Sequence, residues 1–331
     1  MRPRVLLLAG AAIGGVALLV VVLASPQVRA GPPPAVTTRD AASVRVAGDQ
    51  VTLVARSVDG ATLVEPRSAG GPPLPAALAP DGLAMAFSPV RAGHAGPLVI
   101  ARADGSQLDV ALPGLRGAAF SPDGEWLAAV DLAGSLWRVE AATGAASLLA
   151  EGPFGPDPTV LPDGRVLAVR LSSVEAPIWA AAQLVDPLTG VATTVEAGRA
   201  EQDQLVYQAA ALVDGSLSLV RHRVGGAMDV IRVTDDGSPS TVATLKATSV
   251  AVSPTGERLA WAWDGSIRLD RPDDAAPFVL SAGSAARFSP DGAFLLVFGD
   301  RRTSVYDLAG ALRAEAGETA CWLGDGRGCR P

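Results

Sequence analysis

Two histidines, His94 and His222, and two cysteines, Cys321 and Cys329, are the whole stock of imidazole and thiol in 331 residues. A Ser-His-Asp relay needs an imidazole beside an activated serine. The histidines lie far apart in the chain, and no Gly-x-Ser-x-Gly elbow accompanies either of them. His94 sits in the irregular stretch Arg91-Ala92-Gly93-His94-Ala95-Gly96, and His222 follows Leu219-Val220-Arg221 at a strand end. Both read as ordinary loop or strand-end residues. Two thiols cannot complete a tetrahedral zinc site. If Gly324-Asp325-Gly326 forms a three-residue hairpin loop, Cys321 and Cys329 face each other across two strands. A disulfide there suits an oxidising compartment. The expectation is therefore no catalytic group, no cofactor and no metal, and hence not an enzyme.

Carboxylates are plentiful, but the most regular of them have a structural explanation. They stand in a returning tetrapeptide: Ala79-Pro80-Asp81-Gly82, Ser121-Pro122-Asp123-Gly124, Leu161-Pro162-Asp163-Gly164, Ser253-Pro254-Thr255-Gly256 and Ser289-Pro290-Asp291-Gly292. A degenerate copy, Leu212-Val213-Asp214-Gly215, fills the wide gap, and the steps between copies are 42, 40, 51, 41 and 36 residues. Pro presets φ, Asp bonds the backbone two residues on, and Gly takes a positive φ, so each copy is a turn. Short apolar strands flank it. Ala118-Ala119-Phe120 precedes one copy, and Glu125 to Val130, Ser135 to Glu140 and Ala145 to Leu149 follow it.

Four strands recurring about every forty residues predict a ring of small antiparallel sheets. Counted along the chain, the units begin near residues 43, 78, 117, 157, 207, 249 and 285. The fold class is thus all-β, a β-propeller of four-stranded blades. Seven blades are expected, with six and eight as alternatives. The C-terminal segment would lend a strand to the first blade and close the ring.

Phe120-Ser121-Pro122-Asp123-Gly124 and Phe288-Ser289-Pro290-Asp291-Gly292 resemble the WD40-like (PD40) repeats of TolB-type propellers. The resemblance covers roughly residues 43 to 320 and implies a scaffold role in envelope assemblies. The additional N-terminal domain of TolB has no room in this chain.

The N-terminus points outside the cytoplasm. Arg2 and Arg4 precede the uncharged apolar run Val5 to Ala24, long enough to span a bilayer as a helix with its start held inside. A retained anchor and a signal peptide cleaved after Val28-Arg29-Ala30 both fit. Residues 31–42, opening Gly31-Pro32-Pro33-Pro34, read as a stiff spacer, and residues 43–331 as the propeller. The net charge is −7, and the first thirty residues hold three arginines and no acid, so the ring itself is more acidic still. That excludes a nucleic-acid backbone as partner.

The repeated turns share one rim. The opposite rim carries the irregular connections, where recognition concentrates on a rigid frame. The overlong blade places its excess at Ser172, Ser173, Val174, Glu175 and Ala176, and at Arg199, Glu201, Gln202 and Asp203. The expectation is a monomeric, non-catalytic scaffold that docks a protein or peptide at the cell envelope through those loops. The alternative is a sensor holding a small ligand, glycan or metal in the central channel, and behind it a propeller hydrolase or lyase.

Overall fold

In the repeated turn, the chain reverses by chemistry its own residues supply. The Gly124 N–H donates to the Ser121 carbonyl (2.9 Å), and the Glu125 N–H to Asp123 Oδ1 (3.0 Å). Gly124 takes φ +73°, a conformation an L side chain rarely adopts. Asp81, Asp163, Asp214 and Asp291 accept the same bond from the residue two places on, and Thr255 takes that role through its hydroxyl. The sequence motif understates one partner. Ser121 is 1 % exposed; its Oγ accepts from the Trp126 N–H (3.1 Å) and donates to Asp123. Ser289 does the same with Phe294 and Asp291, and Ser253 accepts from Arg258.

This computed structural model describes residues 37–322 apart from 47–48, 59–60, 69–74, 89, 92–93, 103, 105, 113, 174–178, 200–203, 224, 235–236, 271–275, 301 and 317–319. All of them belong to a compact unit, Pro34–Pro331. The apolar run Val5 to Ala24 lies outside the described residues, and among those described no helix is long and apolar enough to cross a membrane.

Seven four-stranded antiparallel sheets follow one another along the chain. Blade 1 is Thr37–Val46, Asp49–Val58 and Ala61–Ser68, completed by Cys321–Trp322. Blade 2 runs from Pro75–Leu78 to Gln107–Val110, and blade 3 from Leu115–Phe120 to Ala146–Ala150. Blade 4 is Thr159–Val160, Val166–Leu171, Trp179–Val185 and Ala192–Arg199. Blade 5 is Gln204–Ala211, Leu217–Arg223, Ala227–Val233 and Pro239–Lys246. Blade 6 runs from Ser249–Val252 to Phe278–Ala282, and blade 7 from Ala285–Phe288 to Leu312–Ala316. The seven-blade reading holds. The first strand reaches back to Thr37, into the stretch the sequence assigned to the spacer, because Thr37 to Asp40 continue the pairing with Val54 to Ser57 past a bulge.

Closure is as expected. Leu63 pairs with Trp322 and Val64 with Cys321, so the end of the chain becomes the outer strand of the first blade. Trp322, 1 % exposed, donates its indole N–H to the Arg287 carbonyl of blade 7 (3.3 Å) and packs near Phe294. An open strand edge is thereby covered.

The cores lie between blades. Strands alternate, so one face of each sheet packs on the preceding blade and the other on the next. Ala128, Val130 and Leu136 of blade 3 meet Val166 and Val185 of blade 4. Leu217, Leu219 and Ile231 of blade 5 meet Leu167 and Leu171 of blade 4, while Val220 and Val230 meet Val250 and Trp261 of blade 6. That alternation decides which side chains of the first and second strands turn inward to a seam, and it positions the site.

Candidate functional site

The rim loops chosen from sequence are only partly open to description. Val174, Glu175, Ala176, Glu201, Gln202 and Asp203 lie outside the described residues, and Arg199 is described only as the end of its strand. Ser172 and Ser173 are half-buried, and the Ser172 N–H donates to the Trp179 carbonyl (2.9 Å), so this connection begins as a closed hairpin. Another of the irregular connections, Gly152 to Pro158, is fastened into the frame. Phe154 is fully buried between blades 3 and 4, its N–H donating to the Gly134 carbonyl (2.8 Å), and Leu171 N–H bonds the Pro153 carbonyl (2.7 Å).

Among the described residues, the titratable groups singled out from sequence are held by the frame. His94 belongs to a two-residue strand paired with Val90–Arg91. His222 pairs with Met228 in blade 5, and burial pushes its imidazole pKa below the ordinary value. Beside it Asp229, 2 % exposed, accepts from Thr244 (2.7 Å) and Arg221 (3.2 Å), with Arg223 at 3.3 Å. Arg221 also faces Glu196 of blade 4 at 3.7 Å. These charges answer one another across the blade 4–5 seam, which is frame work. Among the described residues no three His, Cys, Asp or Glu side chains converge as a metal would require. Cys321 is buried beside Trp322, and its expected partner Cys329 lies outside the described residues.

The concave site lies elsewhere, along the first strands. A cavity of about 330 Å³ is walled by Thr159 of blade 4, Gln208 to Ala211 of blade 5, Ser249 to Val252 of blade 6 and Ala285 to Ser289 of blade 7. First strands are the inner strands of a propeller, so this is its central channel. The volume is at the lower end of the roughly 300–1,000 Å³ typical of small-molecule sites. The wall is mostly small and apolar, Ala209, Ala210, Ala211, Ala251 and Ala285 among it, which leaves room near the backbone. Polar groups punctuate it: Asp157, Thr159, Gln208, Ser218, Ser249, Arg287 and Ser289. Ser218 is 4 % exposed, and among the described residues its Oγ has no hydrogen-bond partner.

None of these residues stood out in the sequence. The only trace was a polar residue interrupting an apolar strand, Gln208 before Ala209-Ala210-Ala211 and Ser218 between two leucines. That trace becomes a site only when the ring brings four blades together.

No family model matches the chain, and no curated protein does. The resemblance to TolB-type repeats therefore rests on the turn residues themselves. Among solved structures, 1058 chains match, so the architecture is widely shared. One is an oligogalacturonate lyase in complex with manganese, similar with a TM-score of 0.52 and 17 % identity over 86 % of this chain and 84 % of that one. At that identity the likeness carries the fold alone, without the enzyme's residues.

It nevertheless corrects the functional expectation. One solved structure that this ring resembles along most of its length is, by its name, a lyase, in complex with manganese. A concavity of this ring lies in the channel, and the rim loops supply no site among the described residues. The scaffold reading is withdrawn, and the expectation of no enzyme loses its main support. By fold, the chain is an all-β propeller of seven four-stranded blades.

Proposed function

We propose that the ring binds a small hydroxyl-rich ligand of saccharide type in the channel between blades 4 and 7. The observation that supports this reading is the cavity itself: about 330 Å³, walled by inner strands of four blades, with Asp157, Arg287 and hydroxyl and amide residues set among alanines. Such a wall recognises by hydrogen bonds and shape. The lyase acts, by its name, on an oligogalacturonate, which makes a sugar the natural first class to try. The donor set present does not suit manganese, since no three carboxylate, imidazole or thiolate groups meet among the described residues. Recognition without a resident metal is the reading these residues support. The apolar run Val5 to Ala24 would place this binding outside the cytoplasm, on an anchor or after cleavage.

Calorimetric titration of the full chain with galactose and galacturonic acid trisaccharides tests the proposal. Saturable binding of at least one of them is expected, weakened by Gln208→Leu, with the sugar recovered intact whether or not manganese is added. Absence of binding to both overturns the saccharide reading. Cleavage of the bound sugar moves the protein to the lyase class.

A further inference from the structure

The repeated turns give a common count around the channel. Four residues before the carbonyl that accepts each turn bond stand Asp157 in blade 4, Gln208 in blade 5, Ser249 in blade 6 and Ala285 in blade 7. All four line the cavity. The residues that alternate with them, Val160, Ala209, Val250 and Ala286, pack back on the preceding blade. Asp157, Gln208 and Ser249 therefore turn toward the following blade at one level, a polar tier on three consecutive blades. Asp157 and Gln208 are exposed and Ser249 is half-buried, whereas Val160, Val250 and Ala286 are buried. Among the described residues, no hydrogen bond or ion pair holds any of the three side chains. Ala210 and Ala251, two residues nearer the turns, keep the wall beside the tier low.

Asp157 precedes its strand, and packing fixes its place. The Pro156 carbonyl oxygen lies 1.5 Å from where Gly117 of blade 3 would carry a Cβ, and the Gly155 N–H donates to the Val169 carbonyl (2.8 Å). Other charges of the described first strands of blades 3 to 7 are directed elsewhere. Arg287 lies on the blade 1 face of its strand, with its guanidinium 5.9 Å from the centre of the Phe298 ring. Arg116 donates to the Phe154 carbonyl (3.5 Å). Asp157 is thus the charge that the tier presents to a ligand.

An ionised carboxylate only accepts hydrogen bonds, and its two oxygens match two hydroxyls on adjacent carbons. The amide and the hydroxyl beside it both donate and accept. That set complements the hydroxyl edge of a neutral sugar. With a uronic acid, carboxylate would face carboxylate inside a ring that is already acidic.

We infer that Asp157, Gln208 and Ser249 set the specificity of the channel. The Asp157 carboxylate accepts from two adjacent hydroxyls of a neutral sugar, Gln208 and Ser249 hold further hydroxyls, and an acidic sugar is refused. The inference rests on the saccharide reading of the cavity.

The test compares the galactose and galacturonic acid trisaccharides on the full chain at fixed ionic strength. The galactose form is expected to bind at least about tenfold more tightly. Asp157→Asn keeps the shape and removes the charge. It should weaken galactose binding by about tenfold and narrow the gap between the two sugars. Its thermal midpoint should match that of the parent, since the frame makes no described bond to this side chain. Ser249→Ala should cost less, about threefold. Monodeoxy sugars add a readout that a purely structural role would not move. Two adjacent deoxy positions should lose affinity against the parent and lose less against Asp157→Asn. Galacturonic acid bound as tightly as galactose, or a preference unchanged in Asp157→Asn, overturns the tier and leaves the channel reading standing. Failure of both sugars to bind overturns that reading itself.

Discussion

The seam between blades 3 and 4 and the seam between blades 5 and 6 are built from the same strand pattern to opposite ends. In the first, backbone meets backbone. A Cβ added to Gly117 would lie 1.5 Å from the Pro156 carbonyl oxygen, and one on Gly190 would lie 2.3 Å from that of Leu149. Phe154 fills what space remains. The second seam is pinned at its rims, by the Val213 N–H bond to the Pro254 carbonyl (2.8 Å) and by Lys246 over the Trp263 ring at 4.6 Å. Between these pins Val220, Met228 and Val230 pack on Val250, Leu259 and Trp261, and the buried Ser218 hydroxyl has no hydrogen-bond partner among the described residues. Close packing leaves few voids in a protein interior. One seam is closed by backbone contact, the other by side chains packed around a hydroxyl that the frame does not use.

The largest effect should come from crowding the tight seam. Gly117→Ala is expected to cost about 3 kcal/mol, at the upper end of overpacking penalties, because backbone and not a flexible side chain must move. Ser218→Ala at the other seam removes a buried hydroxyl that has no partner among the described residues and should change stability by under about 1 kcal/mol. Urea unfolding of the two variants checks both. Equal losses would show that the seams do not differ.

Next come the serines. Ser289→Ala leaves the buried Phe294 N–H without its side-chain acceptor and should cost about 1–3 kcal/mol. Ser218→Ala should be neutral or slightly stabilising, because no protein partner loses a bond. Thermal midpoints of the pair give the answer directly. A loss at Ser218 matching that at Ser289 would mean its hydroxyl is engaged by the frame.

The smallest effect is electrostatic. Hydrogen bonds from the Ser121 hydroxyl, then from the Glu125 N–H, hold the Asp123 carboxyl below its ordinary value of 3.8. Burial holds the His222 imidazole below 6.5. Both folded-state values lie under the unfolded ones, so each group contributes stability that is complete above its unfolded value. That contribution is lost as pH falls through the folded value. Stability measured from pH 7 downward should decline first below about 6.5 and again below about 3.8. In Ser121→Ala the second decline should shrink, and in His222→Gln the first should disappear.

Much of the frame was legible in the residues. Pro, Asp and Gly at fixed offsets can make only a few turns, and six such turns at a near-constant spacing leave little choice but a ring. Closure through the Cys321–Trp322 strand followed from the same pattern. The fourth bond of the turn, from the buried serine, was missed, because hydroxyl partners depend on which way a side chain turns under its neighbours. The burial of Phe154 is hidden for a like reason: it looks like any loop aromatic until blade 4 closes over it. The channel residues were the least legible. Thr159, Gln208, Ser218 and Ser249 are up to ninety residues apart.

The sequence by itself therefore determined the repeating unit, its turns, the blade number and the acidic, arginine-rich character of the ring, because each depends on local backbone preference or on composition. Only the tertiary structure decided which seam is closed by backbone and which by side chains, and that the hydroxyl of Ser218 is buried without a partner among the described residues. Those outcomes depend on strand register and on which face each blade turns to its neighbour, and a one-residue shift in either would have sent Ser218 to the other side of its sheet.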